Sequence, residues 1–388
     1  MAKRVALFIN SLYGGGAERV VSRISRELAK KYELYIFLID GRERFYDCSG
    51  EIVDLGCQSD SYSLNALYAF LRLNGEIKKY QVDCVISFLD VPNIINCVMN
   101  KNALKIISIR CYIDRVLCQT LNRKVKYYLS RRYFKKADRV ITVSNELNTE
   151  IIDAFQIDES RTIVIENPYD IDEIQRLADE KIADEINEFI SEHKTAVAVG
   201  RLDQQKGYED LINIFSEVQK KDKDAALIIL GEGPQRKDLE ALICEKKLEN
   251  KVLLLGLCKN PFAIMSKCKL YVSTSLFEGF PNTLVEAMAC GIPVIHTDCK
   301  TGPREIITDI YDLTKVKNAI YAPYGILIPS YTRKEVDSNT TKKEFAEAWS
   351  SILSMEDMRK EYKKIVKERA SCFSMERCIK KYQQVIEE

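Results

Sequence analysis

The stretch V-S-T-S-L-F-E-G-F-P-N-T-L-V-E-A-M-A-C-G-I-P-V-I-H-T-D-C-K-T-G-P-R-E-I-I runs from Val272 to Ile307. Residues 269–272 predict a short buried strand, and Pro293 begins another. Between them, Asn282 is a good N-cap for a helix over about 283–290, and Gly291 is expected to end it. A strand, a loop, a helix and a strand in this order predict one unit of a doubly wound sheet.

Two glutamates, Glu278 and Glu286, flank the N-terminus of this predicted helix. A helix N-terminus offers unpaired N–H groups and a partial positive charge, which suit a phosphate. Carboxylates accept hydrogen bonds from sugar and ribose hydroxyls. The stretch therefore predicts a site for a sugar joined to a nucleotide diphosphate. The alternative is an ordinary strand-loop-helix unit with two solvated glutamates.

The stretch resembles the signature of glycosyltransferase family 4, whose members are retaining enzymes of the GT-B fold. The continuation from Thr297 is similar to members that build bacterial surface glycans. The resemblance implies an α/β protein with two Rossmann-like doubly wound domains that face each other across a deep cleft. The matching residues are Glu278, Gly279, Phe280, Pro281, Asn282, Glu286, Ala287, Cys290, Gly291, Pro293 and Val294.

Length and composition agree with two soluble domains. The chain has 388 residues, of which 46% are hydrophobic and 30% charged. Strand and helix patterns alternate, and E-N-P-Y-D-I-D, residues 166–172, reads as a linker. With these boundaries, the resemblance implies an acceptor-binding domain over 1–167, joined by the C-terminal helix 372–388, and a donor-binding domain over 168–371.

The same composition bears on the compartment and on metal binding. No apolar run is long enough to predict a transmembrane helix. Thirteen cysteines occur without a C-x-x-C pair, which favours free thiols and a cytoplasmic location. Only two histidines are present, and no ligands cluster at metal spacing, so a metal site is not expected.

A glycine-rich loop follows the first predicted strand. G-G-G-A-E-R has the wrong spacing for a dinucleotide fingerprint, but its glycines permit close backbone approach to a ligand. The resemblance implies that Gly15 and Gly16 lie near the donor diphosphate and that Arg19 lies near the acceptor. The alternative is a tight turn that only packs the following helix.

Two cations leave the end of a predicted strand in the second half of the chain. Arg201 and Lys206 stand in G-R-L-D-Q-Q-K-G, at the strand end where doubly wound sheets bind ligands. The resemblance identifies them with the family's diphosphate-binding arginine and lysine, whereas the alternative is two solvated loop cations. Gly231 is expected to let the backbone approach the donor, and Cys258 and Lys259 to contact the nucleotide base.

The predicted acceptor side departs from the family pattern. Many members carry a histidine or an acidic residue near the cleft, and this chain has neither between Ile107 and Tyr112. We therefore take Asp90 and Arg110 as substitutes and, with Arg19, as the acceptor-binding residues.

The segment 121–139 is strongly basic and aromatic. A basic amphipathic helix of this kind suits an anionic membrane surface. Nucleic acid is the competing partner, but no nucleic-acid motif is present, and a solvated basic face is the remaining alternative. The basic residues are Arg123, Lys124, Lys126, Arg131, Arg132, Lys135, Lys136 and Arg139, and Tyr127, Tyr128, Tyr133 and Phe134 supply aromatic bulk.

Together these features predict a retaining glycosyltransferase that moves a hexose or N-acetylhexosamine from a UDP-sugar to a glycan acceptor, expected to be lipid-linked, at the inner face of the cell membrane. No cofactor or metal is expected, because protein cations neutralise the leaving diphosphate. The rival hypotheses are another GT-B enzyme, such as a nucleotide-sugar epimerase, and a non-catalytic sugar-nucleotide-binding subunit.

The resemblance assigns roles residue by residue. Glu278, Arg201 and Lys206 are expected to be catalytic. Glu278 is expected to bind the donor sugar and Glu286 the ribose, so the two do not act as a glycosidase pair. The expected donor-binding residues are Gly15, Gly16, Arg201, Lys206, Gly231, Cys258, Lys259, Glu278, Gly279, Phe280, Pro281, Asn282, Thr283, Leu284 and Glu286.

Overall fold

The computed structural model describes residues 2–13, 15–111, 121–310, 317–330, 337–354 and 356–388. They form two compact units, Met1–Pro168 with Met375–Glu388, and Tyr169–Ser374. Each unit is a mainly parallel sheet with helices, so the predicted α/β fold class is confirmed.

The sheet of the first unit has seven strands: β1 (Arg4–Ile9), β2 (Glu33–Leu38), β3 (Glu51–Asp54), β4 (Cys84–Phe88), β5 (Leu104–Ile109), β6 (Arg139–Thr142) and β7 (Thr162–Val164). Their order across the sheet is β3-β2-β1-β4-β5-β6-β7, and every neighbouring pair is parallel. β4 is buried along its whole length because helices cover both faces of the sheet.

Five helices alternate with these strands: α1 (Gly16–Leu28), α2 (Tyr62–Lys79), α3 (Asp90–Met99), α4 (Leu121–Tyr133) and α5 (Asn145–Phe155). In α2, the buried residues Ala69, Leu73 and Ile77 recur every four positions and pack on one face of the sheet. Val21 and Ile24 of α1 pack in the other apolar cluster of this unit.

The sheet of the second unit also has seven strands: β8 (Lys194–Val199), β9 (Ala225–Leu230), β10 (Val252–Gly256), β11 (Leu270–Ser273), β12 (Val294–Asp298), β13 (Ile320–Ala322) and β14 (Gly325–Pro329). Their order is β10-β9-β8-β11-β12-β14-β13, and only β13 pairs antiparallel, with β14. Consequently β8, β11 and β12 are adjacent and end at the same edge of the sheet.

Nine helices accompany this sheet in the described part of the unit: α6 (Ile171–Ala178), α7 (Asp184–Glu192), α8 (Tyr208–Lys221), α9 (Arg236–Glu245), α10 (Pro261–Met265), α11 (Asn282–Cys290), α12 (Pro303–Thr308), α13 (Ser338–Ser354) and α14 (Glu356–Ser371). The last helix, α15 (Met375–Glu387), belongs to the first unit. Its buried residues Ile379, Tyr382 and Ile386 join the apolar cluster that contains α1.

The structure corrects one predicted helix and adds two strands. The sequence from about 174 to 193 predicts one helical run, but the structure has two helices there, α6 and α7. Helical periodicity places Ile174 and Ala178 on one face, but Ile190 would lie about 160° from Ile174 in one continuous helix, and three buried positions are too few to locate the break. The edge strands β3 and β13 were not predicted, since each is short and largely solvent-facing and carries a weak apolar pattern.

The segment 308–324, to which the sequence assigns no role, is described only in part. Residues 311–316 lie outside the described residues. Residues 320–322 form β13.

Candidate active site

Two loops meet at the carboxyl edge of the second sheet. The turn Gln204–Lys206 follows β8, and residues 274–281 connect β11 to α11. The Leu276 N–H donates to the Gln205 carbonyl at 2.8 Å, and the Gln205 side chain donates to the Phe277 carbonyl at 2.9 Å. The Thr274 hydroxyl donates to the Lys206 carbonyl at 3.1 Å. These bonds fix the backbone of one loop against the other.

Gly207 allows this close approach. Its φ is +64°, and a Cβ at this position would lie 2.5 Å from the Thr274 carbonyl oxygen. Any side chain would therefore push the two loops apart.

Lys206 and Glu278 form an ion pair between the two loops. The Lys206 Nζ lies 2.6 Å from the Glu278 Oε1, and the side chains are only 18% and 9% exposed. Burial by itself would raise the pKa of Glu278, but the Lys206 ammonium outweighs burial and holds that pKa below its usual value. Burial likewise opposes the charge of Lys206, and Glu278 reverses the effect so that the lysine pKa lies above its usual value.

The burial of this pair overturns two expectations. Glu278 and Glu286 are 6% and 1% exposed, so the alternative of two solvated glutamates is wrong. Lys206 is also not a solvated loop cation. Arg201, by contrast, lies at the loop surface, with its side chain 73% exposed.

A third loop, after β12, holds the Glu278 backbone. The Glu278 N–H donates to the Lys300 carbonyl at 2.6 Å, and the Thr301 N–H donates to the Glu278 carbonyl at 3.1 Å. The Thr301 hydroxyl donates to the carbonyls of Glu278 and Gly279, both at 3.0 Å. Glu278 therefore has a fixed backbone as well as a paired carboxylate.

The helix α11 begins one residue earlier than predicted. Asn282 is its first residue and Pro281 is the N-cap, so the prediction that Asn282 caps the helix is wrong. The Asn282 side-chain oxygen instead accepts a hydrogen bond of 2.7 Å from the Tyr169 hydroxyl. The Leu284 N–H bonds to the Pro281 carbonyl at 3.2 Å. Gly291 ends the helix with φ 78°, as the sequence predicts.

Packing beneath this helix orients its first turn. The Tyr271 hydroxyl of β11 and the Thr283 hydroxyl lie 2.8 Å apart. The Phe280 ring is buried and packs edge-on against Phe373, with ring centroids 5.3 Å apart. The side chain of Phe280 therefore serves the packing of the loop.

The remaining predicted donor residues of the second unit lie along the same edge. Arg201 is exposed, with its Nε 3.8 Å from the Asp203 carboxylate. At Gly231, φ is +147° and a Cβ would lie 1.9 Å from the Gly200 carbonyl oxygen, so the close approach is between β8 and β9 backbones. Cys258 is half-buried and Lys259 is exposed, after β10.

In the first unit, Arg110 follows β5 and makes several contacts. Its guanidinium donates to the Ser108 hydroxyl at 3.2 Å, to the Tyr382 hydroxyl at 3.5 Å and to the Asn167 side-chain oxygen. It also lies over the Phe88 ring, 5.8 Å from the centroid. Arg110 thus ties the ends of β4 and β5 to the linker and to α15.

The other predicted residues of the first unit surround the start of α1 and α3. Gly15 precedes α1, Gly16 is its first residue and the Arg19 N–H bonds to the Gly15 carbonyl at 3.1 Å. Asp90 is the first residue of α3 and is exposed. Glu18, which the sequence did not single out, is near Arg110, and burial raises the pKa of its carboxyl although the Arg110 charge opposes this rise.

Comparison with known proteins identifies the family. Residues 14–173 match the family model described as Glycosyltransferase Family 4, and residues 179–369 match the one described as Glycosyl transferases group 1. The chain belongs to glycosyltransferase family 4. Its two doubly wound units have the GT-B fold.

Relatives of this glycosyltransferase include a Campylobacter jejuni N-acetylgalactosamine-N,N'-diacetylbacillosaminyl-diphospho-undecaprenol 4-alpha-N-acetylgalactosaminyltransferase, 31% identical over 96% of each chain. An uncharacterised glycosyltransferase of Methanocaldococcus jannaschii is 35% identical over 67% of this chain and 66% of that protein. The solved structure of Anabaena HepE in complex with UDP-glucose has a TM-score of 0.74 at 18% identity, covering 99% of this chain and 98% of that one.

Sequence reasoning missed three residues that contact or lie near the candidate residues within each unit: Glu18 near Arg110 in the first, and Tyr271 and Thr301 in the second. Thr301 lies inside the quoted stretch, so its position was visible, but its hydrogen bonds to the Glu278 loop were not. Tyr271 reads as an apolar strand residue, and only the structure places its hydroxyl against α11.

The described residues contain neither a cluster of metal ligands nor a helix that could span a membrane. Within the described ranges, no group of three or more His, Cys, Asp or Glu side chains is arranged to bind a metal ion. Within the same ranges, no helix combines the length and the apolar character needed to cross a bilayer.

Proposed function

We propose that this glycosyltransferase moves a sugar from a UDP-sugar to a lipid-linked glycan acceptor, with retention of configuration, at the cytoplasmic face of a membrane. The observation that carries the proposal is the buried Lys206–Glu278 pair beside the N-terminus of α11. A lysine held at a helix N-terminus suits a diphosphate, and a buried carboxylate in the same loop suits the hydroxyls of the sugar attached to it.

The UDP moiety and the sugar class rest on similar proteins. HepE is solved with UDP-glucose, and the Campylobacter jejuni relative is named for the transfer of N-acetylgalactosamine. We therefore propose a hexose or N-acetylhexosamine as the transferred group. Glu286, buried in α11, is proposed to serve the ribose.

The chemistry follows from the charges at this edge. As the bond between the sugar and the diphosphate breaks, negative charge grows on the leaving phosphate. We propose that Arg201, Lys206 and the helix dipole of α11 stabilise that charge without a divalent metal. A donor phosphate oxygen is proposed to take the acceptor's proton, because Glu278 is engaged by Lys206.

The acceptor is proposed to be presented at a membrane. The Campylobacter jejuni relative is named for a diphospho-undecaprenol-linked acceptor. In the first unit, α4 exposes Lys124, Lys126, Arg131 and Arg132, which suit an anionic surface. A pocket of about 280 Å³, lined by Tyr128, Arg131, Arg132, Lys135 and Gln156, suits a phosphate group.

The structure shows which of the predicted residues are exposed on this basic face. Tyr127 and Phe134 are buried against Phe155 and cannot contact lipid, whereas Tyr128 is 55% exposed. Arg139 pairs with Glu388 at 2.9 Å. The side chain of Arg123 lies outside the described residues.

An apolar stripe on α2 extends the proposed membrane face. Leu64, Leu67, Tyr68 and Leu71 are 47, 51, 46 and 62% exposed, at the spacing of one helix face. Helices α2, α3 and α4 are neighbours in this order. Asp90, at the start of α3, is close enough for electrostatic interaction with both Tyr62 of α2 and Lys126 of α4. Apolar side chains beside a basic face suit an anionic bilayer.

The donor proposal is tested by binding and by product analysis. UDP, UDP-glucose and UDP-N-acetylgalactosamine are added separately to the protein, with GDP as the control. We expect UDP compounds to raise the melting temperature, since a ligand at 100 times its Kd adds about 2.7 kcal/mol.

Transfer to a diphospho-undecaprenol-linked glycan should continue in excess chelator, and NMR of the product should show the donor's anomeric configuration. Stabilisation by GDP alone would contradict the UDP donor. Transfer that requires a metal would contradict the metal-independent chemistry, and a product of inverted configuration would contradict retention.

The membrane proposal is tested with vesicles of phosphatidylglycerol and phosphatidylcholine. Reversal of Arg131, Arg132, Lys135 and Lys136 to Glu should abolish co-sedimentation with the anionic vesicles, because each basic residue near the bilayer contributes about 1 kcal/mol. The matched control reverses four exposed lysines of the second unit, Lys220, Lys221, Lys223 and Lys237.

The apolar stripe is tested separately. Leu71→Glu should weaken sedimentation, whereas Tyr321→Glu, at a position 59% exposed in the second unit, should not. If Leu71→Glu instead converts a dimer to a monomer without affecting vesicle binding, the stripe is an interface between copies of the chain.

A further inference from the structure

His296 is a buried histidine at the edge where the donor site is proposed. It lies in β12, is 0% exposed and pairs in the sheet with Ser273 of β11 and Leu327 of β14. Its neighbour Ile295 points into the apolar cluster that contains α8 and α13. Because strand side chains alternate, His296 points to the opposite face.

The hydrogen bond of the ring defines its tautomer. The Nδ1 of His296 lies 2.7 Å from the Thr297 carbonyl oxygen. A carbonyl only accepts, so Nδ1 carries the hydrogen and the neutral ring leaves Nε2 as a lone-pair acceptor. Among the described residues, no donor contacts Nε2, which is buried. Buried polar atoms without a partner are rare and call for an explanation.

Charged groups of the proposed site surround this ring. Burial lowers the pKa of His296 to about 4, with Lys206 acting in the same direction and Glu278 and Asp298 opposing it. Asp298 is itself paired with Arg304 of α12, with Nε and Oδ1 3.0 Å apart. The nearby Cys299 thiol and the Tyr271 phenol are neutral, because burial raises the pKa of both. Among the described residues, the cation that pairs with the buried Glu278 in the free protein is therefore Lys206.

Donor binding changes this balance, on the proposed role of Lys206. A diphosphate brings at least two negative charges to the Lys206 ammonium and competes with Glu278 for it. Glu278 would then be a buried carboxylate that shares its cation, a costly arrangement. An imidazolium at His296 would restore the missing positive charge.

We propose that His296 Nε2 takes up a proton when the donor diphosphate binds, and that the resulting imidazolium keeps Glu278 ionised for the donor sugar. One N–H bond forms at Nε2 as a buffer acid in the solvent loses its bond to the same proton, and no bond of the protein breaks. His296 is thus a positioning residue that acts through Glu278. The inference rests on the proposed function, since it requires Lys206 to bind the diphosphate.

The first experiment reads the ring directly. The chain has only two histidines, and His193 lies outside this cluster, with its Nδ1 2.9 Å from the Phe189 carbonyl oxygen. Imidazole ¹⁵N spectra of labelled protein at pH 7.5 are recorded without and with saturating UDP, and His193→Gln assigns the two sets of signals. We expect His296 to change from the neutral Nδ1–H form to the imidazolium. A ring that stays neutral with UDP bound would overturn the proposal.

The second experiment counts protons. Calorimetric titration with UDP in two buffers of different ionisation enthalpy gives the protons taken up per UDP, including those of the nucleotide itself. His296→Asn can still donate to the Thr297 carbonyl but cannot be protonated, so it should take up fewer protons than the parent. UDP binding to the parent should tighten as the pH is lowered from 8 to 6. For each pH unit, the gain in affinity should be up to about tenfold larger in the parent than in His296→Asn.

The outcomes separate this inference from the function on which it rests. Failure of the parent to bind UDP would refute both. Normal UDP binding with equal proton uptake in the parent and His296→Asn would refute only the inference. If His296→Asn does not fold, the ¹⁵N measurement on the parent still decides.

Discussion

At the edge of the second sheet the charged side chains pair with one another, whereas at the edge of the first sheet Arg110 bonds mainly to neutral groups. Lys206 and Glu278 neutralise each other, and the pKa of Glu278 lies below its usual value. In the first unit, burial dominates at Glu18 and raises the pKa of its carboxyl, despite the Arg110 charge.

The difference bears on which edge the proposed anionic donor would reorganise. A pair such as Lys206–Glu278 costs desolvation energy and adds little net stability, but loss of one member is severe. It is therefore suited to be reorganised by a ligand that brings its own charge. Arg110, bonded to Ser108, Tyr382 and Asn167, instead reinforces the structure of the first unit.

The largest expected effect is on folding stability in the second unit. Lys206→Ala should reduce the free energy of unfolding by about 3–5 kcal/mol, because it leaves a buried carboxylate without its cation. Urea denaturation at pH 7 measures the loss. The double variant Lys206→Ala, Glu278→Gln should recover part of it by removing the charge. A loss below about 1 kcal/mol in the single variant would show that solvent, and not Lys206, stabilises Glu278.

The next effect is on transfer rate alone. Arg201→Ala should lower kcat/KM by an amount corresponding to about 2–4 kcal/mol of transition-state stabilisation. Its melting temperature should be unchanged, since the side chain is 73% exposed. Arg176→Ala, at an arginine 61% exposed in the same unit, is the matched control and should keep full activity. Near-normal turnover of Arg201→Ala would remove this residue from the site.

In the first unit we expect a smaller effect on stability. Arg110→Ala should cost about 1.5–3 kcal/mol in the free energy of unfolding, the range for a hydrogen bond to a charged group. On the sequence-based prediction that Arg110 also binds the acceptor, the variant should raise the KM for the acceptor and leave UDP binding intact. Arg139→Ala, which removes the exposed ion pair with Glu388, is the control and should cost less than about 1 kcal/mol. Weakened UDP binding in Arg110→Ala would contradict the assignment to the acceptor.

The smallest effect concerns the carboxyls of Glu278 and Glu18. Their contributions to the free energy of unfolding should depend on pH with opposite signs. Glu278 has a lowered folded pKa, so its contribution stabilises at neutral pH and is lost as pH falls through that pKa. Glu18 has a raised folded pKa, so its ionisation disfavours the folded state, and this penalty disappears at low pH. At pH 7, Glu18→Gln should therefore stabilise slightly, whereas Glu278→Gln should destabilise.

Urea denaturation of the parent and both glutamine variants at pH 7 and at about pH 4.5 measures these shifts, since the unfolded carboxyls titrate near the lower value. Both differences from the parent should shrink at the lower pH. Destabilisation by Glu18→Gln at pH 7 would refute the difference between the two sheet edges.

Much of the architecture follows from patterns along the chain. Apolar strand runs, helical periodicity and Gly291 at a helix end are local properties, and they predicted the α/β class and most elements of both sheets. Periodicity failed where its signal is weak or ambiguous, as at β3, β13 and the break between α6 and α7. The family motif identified Glu278, Asn282 and Glu286 as candidate site residues, whose roles stay predictions.

The sequence alone was enough to place Lys206 and Glu278 on loops at strand ends, because strand-loop-helix order is written in local residue patterns. Their pairing required the tertiary structure, since the two residues are 72 positions apart and are joined by the packing of β8 against β11. The same is true of the Thr301 bonds to the Glu278 loop and of the lone pair on His296. Burial and hydrogen-bond pairing arise from contacts between segments that are distant in the sequence. For that reason only the tertiary structure determines which charged side chains pair and that His296 Nε2 has no donor among the described residues.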